Sequence, residues 1–327
     1  MHRALALAVV LSATPVLADT NDLVLGRLAT RMTDTSGNLV SVVPQNLEFR
    51  ALSSQLGVIF APHLLTPADT TGFGGFQLTV DYAMTTYDAN ASYWRVLQDS
   101  PDPAGTGNGA HGEGMMKTVG LFARKGTWFF PGPSFEFGAG AVHLIDSHNW
   151  AGQLYAKVAL HEGYHDLPIP SLAVRGAVSR VLDQRELDLT ITSIDVEVSK
   201  HIGVGGTWRL DPFAGWNLLL IVPRSEVIDP TPNVDPLVAG NEEDLLLNYV
   251  FKDQDTILRH RIFFGAKLQY YVFQITLEAQ FALAGSSIDD RTGTNEACMP
   301  SSTTTSCDAK DTAAAQRTLS MAAGFDF

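Results

Sequence analysis

The chain has 327 residues, is 45% hydrophobic and only 17% charged, and carries a formal net charge of −13 with a pI near 5.0. Charged residues fall below the roughly 25% of ordinary soluble domains while apolar content stays ordinary, which excludes a disordered chain and a helical membrane protein. The acidic balance lacks the basic footprint that phosphate backbones require, so nucleic acid is not an expected partner.

Met1-His2-Arg3 gives a short positive start, Ala4 to Leu11 an apolar run, and Val16-Leu17-Ala18 a small-residue cleavage site. This pattern predicts a secretory signal peptide over residues 1–18. Pro15, Asp19 and Asp22 cut the apolar run short of the about 20 residues that a membrane anchor needs. No cysteine stands at the cleavage point, so a lipid anchor is not indicated. Asp19 to Thr71 does not alternate in polarity; Phe49, Leu52, Leu56 and Ile59 fall at helical spacing between Pro44 and Pro62. A helix over Asn46 to Phe60 and a strand over Leu56 to Phe60 both remain open.

From Phe76 onward, period two recurs. Phe76, Leu78, Val80, Tyr82 and Met84 form one face against Gln77, Thr79, Asp81, Ala83 and Thr85. The same division separates Leu172, Val174, Gly176 and Val178 from Ala173, Arg175, Ala177 and Ser179, and Phe273, Ile275, Leu277, Ala279 and Phe281 from Gln274, Thr276, Glu278 and Gln280. Weaker versions run through Val119 to Arg124, Phe135 to Ala139, Leu154 to Leu160 and Ile262 to Leu268. Leu187, Leu189 and Ile191, followed by Ile194, Val196 and Val198, change phase at Thr192-Ser193, which predicts a bulge. Trp208 to Leu220 reads as a strand made irregular by Pro212. Arg317 to Phe327 closes the series with Leu319, Met321, Ala323, Phe325 and Phe327 on one face. The total is about ten strands, an even number. Long polar connectors (Ala89 to Gly114, Pro223 to Thr256, Ser286 to Ala315) alternate with tight turns at Gly203 to Gly206 and Tyr270-Tyr271, although Ser147 to Asn149 and Asp183 to Glu186 are short.

A soluble β-sandwich also alternates, so other residues must separate it from a barrel. Glu136, Lys157, Arg175, Glu197, Lys267 and Glu278 stand mid-strand on polar faces, as Asp81 does, which fits a lumen where charges pair or meet water. Aromatics gather at strand ends: Trp128-Phe129-Phe130, Trp150, Trp208, Tyr270-Tyr271 and Phe327. Such clusters form interfacial girdles.

Together with the terminal strand Leu319 to Phe327, these features resemble bacterial outer-membrane β-barrel proteins of the porin-like kind. The resemblance covers roughly Phe76 to Phe327. It implies an all-β antiparallel transmembrane barrel over residues 72–327, behind a periplasmic or lumen-plugging, partly helical segment over 19–71. It also implies that Phe325 and Phe327 form the signal read by the barrel assembly machinery. Outer-membrane lipid and lipopolysaccharide would surround a monomer in a Gram-negative bacterium.

Cys298 and Cys307, exported to an oxidising compartment, are expected to form one loop-closing disulfide. His161-Glu162-Gly163-Tyr164-His165 spells a zinc-protease motif. A strand precedes it and Pro168 and Pro170 follow, so His161, Glu162 and His165 are expected on a turn, and Glu186 falls at the opposite rim. His143, Asp146, Ser147 and His148 sit together on one connector, which keeps a surface hydrolase as the alternative. Pro223 to Thr256 carries eight acids against Arg224 and Lys252, a loop that calcium could bind through oxygen ligands but that lacks EF-hand spacing. The expectation is a narrow pore or a structural or ligand-binding barrel, without enzymatic activity and without a cofactor.

Overall fold

The computed structural model describes residues 19–63, 65–101, 114–127, 133–162, 169–238, 241–289 and 309–327. The chain opens with a 3-10 turn, Leu25–Leu28, and a hairpin, β1 (Ala29–Thr33) and β2 (Leu39–Pro44), followed by helix α1 (Asn46–Ile59). An extended stretch then leads into β3 (Phe76–Thr86), β4 (Met115–Thr127), β5 (Ser134–Leu144), β6 (Trp150–His161), β7 (Ser171–Leu182) and β8 (Leu187–Ser199). A short β9 (Ile202–Val204) precedes β10 (Trp208–Ser225), β11 (Ile257–Tyr270) and β12 (Phe273–Ala282). A small pair, β13 (Ile288–Asp289) and β14 (Ala309–Lys310), precedes β15 (Gln316–Asp326).

Ten long antiparallel strands follow one another as β3 to β8, β10, β11, β12 and β15, and β15 pairs with β3, which closes the barrel. The apolar faces point outward. Val80, Leu121, Leu154, Leu277 and Leu319 are exposed on the outer wall, whereas Asp81, Lys157, Arg175 and Glu278 are buried inside it. An apolar outside and a charged inside exclude the sandwich, whose apolar faces must meet in a core. Aromatic rings band the short-turn rim: Trp208 lies 4.5 Å from Tyr270, Tyr270 4.7 Å from Tyr271, and Phe325 6.2 Å from both Phe273 and Phe327. Trp150 stands at the opposite rim, stacked on His143 at 4.4 Å. Trp128, Phe129 and Phe130 lie outside the described residues, as do residues 1–18, His165, Cys298 and Cys307.

Two local expectations are corrected. β8 has no bulge, because its register with β7 and β10 runs unbroken through Thr192 and Ser193. Leu187, Leu189 and Ile191 point into the barrel and are buried there, while Ile194, Val196 and Val198 point out. The interior itself turns from apolar to polar at this height, so the sequence changes phase while the backbone does not. Pro212 sits inside a continuous β10, opposite Ala266 of β11. On its other side Lys200 N donates to Pro212 O at 3.1 Å, but the proline returns no N–H and the pairing with β8 and β9 is interrupted between Leu210 and Phe213, so the irregularity lies on that one side of β10.

Residues 46–60 are helical, which settles the alternatives left open by the sequence. α1 lies in the long-loop mouth of the barrel. Phe49, Leu52, Leu56 and Ile59 are buried in one cluster with Leu144, Val181, Leu189, Ile191, Leu219 and Ile221 from the wall. Gly57 makes this seat possible: a Cβ at that position would stand 2.4 Å from Ile221 Cδ1. The other face of α1 is polar and meets the loops. Arg50 donates to Asp255 O at 3.1 Å and Ser287 Oγ at 2.9 Å, and Ser54 shares hydrogen bonds with Asp311 and Arg259.

Candidate functional site: a lumen threaded by the chain's own N-terminal segment

Below α1, residues 60–63 and 65–75 pass down the barrel axis as irregular chain with several bends and leave at the short-turn end, where Phe76 starts β3. Irregular chain inside a barrel brings backbone N–H and C=O groups with no helix or ladder to join, and these must find other partners. The wall supplies them. Gln153 Nε2 donates to Phe60 O and Ala61 O at 3.4 and 3.3 Å, and its Oε1 accepts from His63 N at 3.1 Å. Glu278 accepts from Leu65 N at 2.9 Å, Ser199 Oγ from Ala68 N at 3.1 Å, Glu162 from Thr70 N at 2.8 Å and Glu136 from Thr71 N at 2.8 Å. Lys157 Nζ donates to Pro67 O at 3.0 Å and to Asp69 O at 2.9 Å, and Arg261 reaches Pro62 O at 3.4 Å.

The charges that hold the segment also hold one another. Lys157 pairs with Glu136 at 3.1 Å, and Tyr155 donates to the same carboxylate at 2.6 Å. Arg175 pairs with Asp195 at 2.7 Å and reaches Thr66 Oγ1 at 3.2 Å. From Asp195 the network continues through Asn217, Arg261, Gln280 and Glu278, and so returns to Leu65. It crosses five consecutive strands, β7 to β12 with β9 left aside. Near the short-turn end a cavity of about 220 Å³ remains beside Asp69, Lys157, Arg209, Lys267 and Asp326.

The seven lumen candidates all stand inside the barrel, buried. Glu136, Lys157, Arg175 and Glu278 contact the threaded segment directly, and Asp81 approaches His63 Nδ1 at 3.4 Å. Lys267 instead pairs with Asp326 at 2.9 Å, and among the described residues neither carboxylate oxygen of Glu197 has a hydrogen-bond partner. Sequence reading missed Gln153, Asp195, Asn217 and Arg261. Each occupies the polar phase of its strand, so inward parity, rather than charge alone, was the signal that could have found them. Phe325 and Phe327 face outward on the terminal strand and its end.

His161 closes β6 at the short-turn end, and Glu162 is engaged by Thr70, so the described part of the zinc-like motif belongs to the plug contacts. Glu186 sits at the other end and accepts from Leu25 N at 2.7 Å. Burial pushes its carboxyl up, partly offset by hydrogen bonds from Leu25 and Gly26. Among the described residues no three acids, histidines or cysteines gather as a metal site, the long acidic loop included.

The connector that carried the hydrolase alternative holds the start of the described chain. Asp22 accepts from His148 N and approaches His148 Nδ1, both at 2.7 Å, and Asn21 N donates to Asp146 O at 2.8 Å. Ser147 Oγ is turned to the backbone, donating to Leu144 O at 2.9 Å and accepting from Asn149 N at 3.0 Å.

A closed, even-numbered antiparallel barrel with an apolar outer wall, aromatic rims and a charged interior has the fold of a bacterial outer-membrane β-barrel protein. No family model matches the chain, and no curated protein matches it by sequence. Solved structures align weakly with it. OmpT, an outer membrane protein of Vibrio cholerae in its trimer form, aligns over 65% of this chain at 9% identity and a TM-score of 0.27, and the match spans 57% of that protein's chain. Ail, the attachment invasion locus protein of Yersinia pestis, aligns over 78% of this chain and 99% of its own, at 9% identity and a TM-score of 0.25. The translocator domain of the autotransporter NalP from Neisseria meningitidis covers 78% and 88%, at 10% identity and a TM-score of 0.34.

Proposed function

We propose that the protein is a self-plugged barrel of the Gram-negative outer membrane, a structural or ligand-binding scaffold without a catalytic centre, in which residues 60–75 close the lumen. One observation carries this reading: side chains from around the wall take up the backbone of the threaded segment, so its path is built into the barrel. Outer-membrane barrels place short turns in the periplasm and long loops outside. By that rule α1, the β1–β2 hairpin and Asp19 stand at the cell surface, and the polypeptide descends through its own barrel before the first wall strand. The sequence expectation of a narrow pore then applies only to a barrel from which the plug has been removed.

Planar-bilayer conductance of detergent-folded protein tests this, with folding checked by a heat-dependent gel shift. The full chain is expected to insert without discrete openings, and a variant lacking residues 19–71 to conduct. Steady openings from the full chain, equal to those of the deletion, would refute the plug.

A further inference from the structure

The long-loop end carries a groove that the plug does not use. The hairpin β1–β2 forms a separate two-stranded sheet, and among the described residues no strand pairs with the outer edge of β2. Between that edge and residues 231–234 and 241–249 of the acidic loop runs an open groove of about 580 Å³. Asn38, Leu39, Val40, Ser41 and Val42 all line it. Asn38 precedes β2, and within β2 the register with β1 shifts so that Val40 bulges between Leu39 and Ser41. Because consecutive strand residues point to opposite faces, a groove touched by Asn38 and by Leu39 to Val42 on both sides of that bulge follows the strand's edge. Such an edge offers a row of backbone donors and acceptors as a template for another strand.

Three further observations describe what fits there. The hairpin is already set, because Asp34 Oδ1 accepts from both Ser36 N and Asn38 N at 2.8 Å; an edge held in place costs little ordering when a partner binds. Both walls offer apolar side chains, with Val40 and Leu246 exposed by 56% and 82%. The far wall also carries Glu243 and Asp244, within a loop whose eight acids oppose two bases, and Asn248 Oδ1 is buried there without a hydrogen-bond partner among the described residues.

We propose that this groove binds an extended basic peptide segment of another protein, which adds a strand along β2, sets apolar side chains against Val40 and Leu246, and faces Glu243 and Asp244 with lysine or arginine. A second copy of this chain is a poorer occupant, because edge-to-edge pairing would bring two acidic loops together. The proposal goes beyond the plugged-barrel reading and requires neither the plug nor a particular orientation in the membrane.

The test uses full-length protein folded in detergent and fluorescent peptides, read by anisotropy. A Lys-Val-Lys-Val-Lys-Val peptide is expected to bind saturably and more weakly as salt rises, and its Glu-Val counterpart not to bind. N-methylation of alternate peptide amides, made in both registers, should abolish binding in one of them. Glu243→Lys should lower affinity about tenfold through charge reversal, with the heat-dependent gel shift confirming an intact barrel. Equal binding by the Glu-Val peptide, or undiminished binding by both N-methylated peptides, would overturn the proposal. So would a concentration-dependent dimer abolished by Val40→Lys, which would assign the edge to a second copy.

Discussion

The two halves of the barrel interior are filled by the same N-terminal segment in two conformations, and the wall differs accordingly. In the long-loop half the filler is α1, which satisfies its own backbone and presents Phe49, Leu52, Leu56 and Ile59; the wall there is Leu189, Ile191, Leu219 and Ile221. In the short-turn half the filler is irregular chain with neither helix nor ladder, most of its backbone hydrogen bonds go to side chains of the wall, and that wall is Gln153, Lys157, Glu136, Glu278 and Arg261. A helix brings its hydrogen bonds with it, while a threaded irregular segment must be given them. The polarity of a lumen therefore follows the secondary structure of what it holds, and β8 records the boundary at Thr192-Ser193.

The sharpest way to separate the halves is Lys157→Ala. It strands the buried Glu136 carboxylate and two plug carbonyls, and breaking a buried pair from one side costs about 3–5 kcal/mol. Denaturant unfolding should show that loss, and the double change Lys157→Met with Glu136→Gln should recover a large part of it. If the single and double variants lose equally, the charges are not acting as a pair. The comparison also rests on the assignment of inward and outward faces, which Leu277→Arg tests. On an exposed outer-wall site near the bilayer midplane, arginine should cost roughly 2–4 kcal/mol. A variant that folds into lipid with unchanged stability would reverse that assignment.

The apolar half should respond to volume instead of charge. Gly57→Ala would improve helix propensity by up to about 1 kcal/mol, yet the added methyl meets the β-branched Ile221 at contact too short to accept. Overpacking of this kind costs about 1–3 kcal/mol, so the net expectation is a lower unfolding midpoint for α1, followed by hydrogen exchange of its amides. Adding Ile221→Val should return part of the loss, whereas no change at Glu136 or Lys157 should.

The outer wall was legible because a lipid-facing residue is apolar whatever lies inside: Leu78, Val80, Leu277 and Met321 follow period two without exception. The inner wall was legible only where its filler is irregular chain, which is why Glu136, Lys157, Arg175 and Glu278 stood out. At Leu187 to Ile191 the apolar residues of β8 face inward and Asp188, Thr190 and Thr192 face outward, so period two persists but its apolar phase marks the inner wall instead of the outer; the apparent bulge arose there. Nothing local in Pro62 to Thr71 marks it as a plug. Apart from Asp81, 18 residues beyond His63, its wall partners lie 64 to 213 residues away in sequence, so the threaded path appears only once the barrel is closed.

The smallest expected effect concerns how the start of the described chain is fastened at the long-loop rim, through Asp22 to His148 and through Leu25 to Glu186. Hydrogen bonding and charge from Asp22, aided by Asp19 and Asp183, raise the exposed His148 above its ordinary 6.5. For Asp22, partial burial alone would raise the carboxyl, but hydrogen bonds from His148 and Asp19 bring it below its ordinary 3.8. The histidine's contribution is therefore complete below 6.5 and lost as pH rises through the raised value. The aspartate's is complete above 3.8 and lost as pH falls through the lowered one. Glu186, pushed up by burial, acts in the same direction as His148, since its protonated form is favoured in the folded state and its contribution falls as pH rises. The Asp22–His148 contact should be tightest between 3.8 and 6.5 and should loosen in mild alkali, with the barrel intact. Hydrogen exchange at Asn21, Asp22 and Leu23 should quicken between pH 6 and pH 8 beyond the intrinsic base-catalysed rise. His148→Gln should remove that excess. Equal pH dependence in the variant and the parent protein would mean that the contact between Asn21 and Asp146, which does not titrate, holds the segment alone.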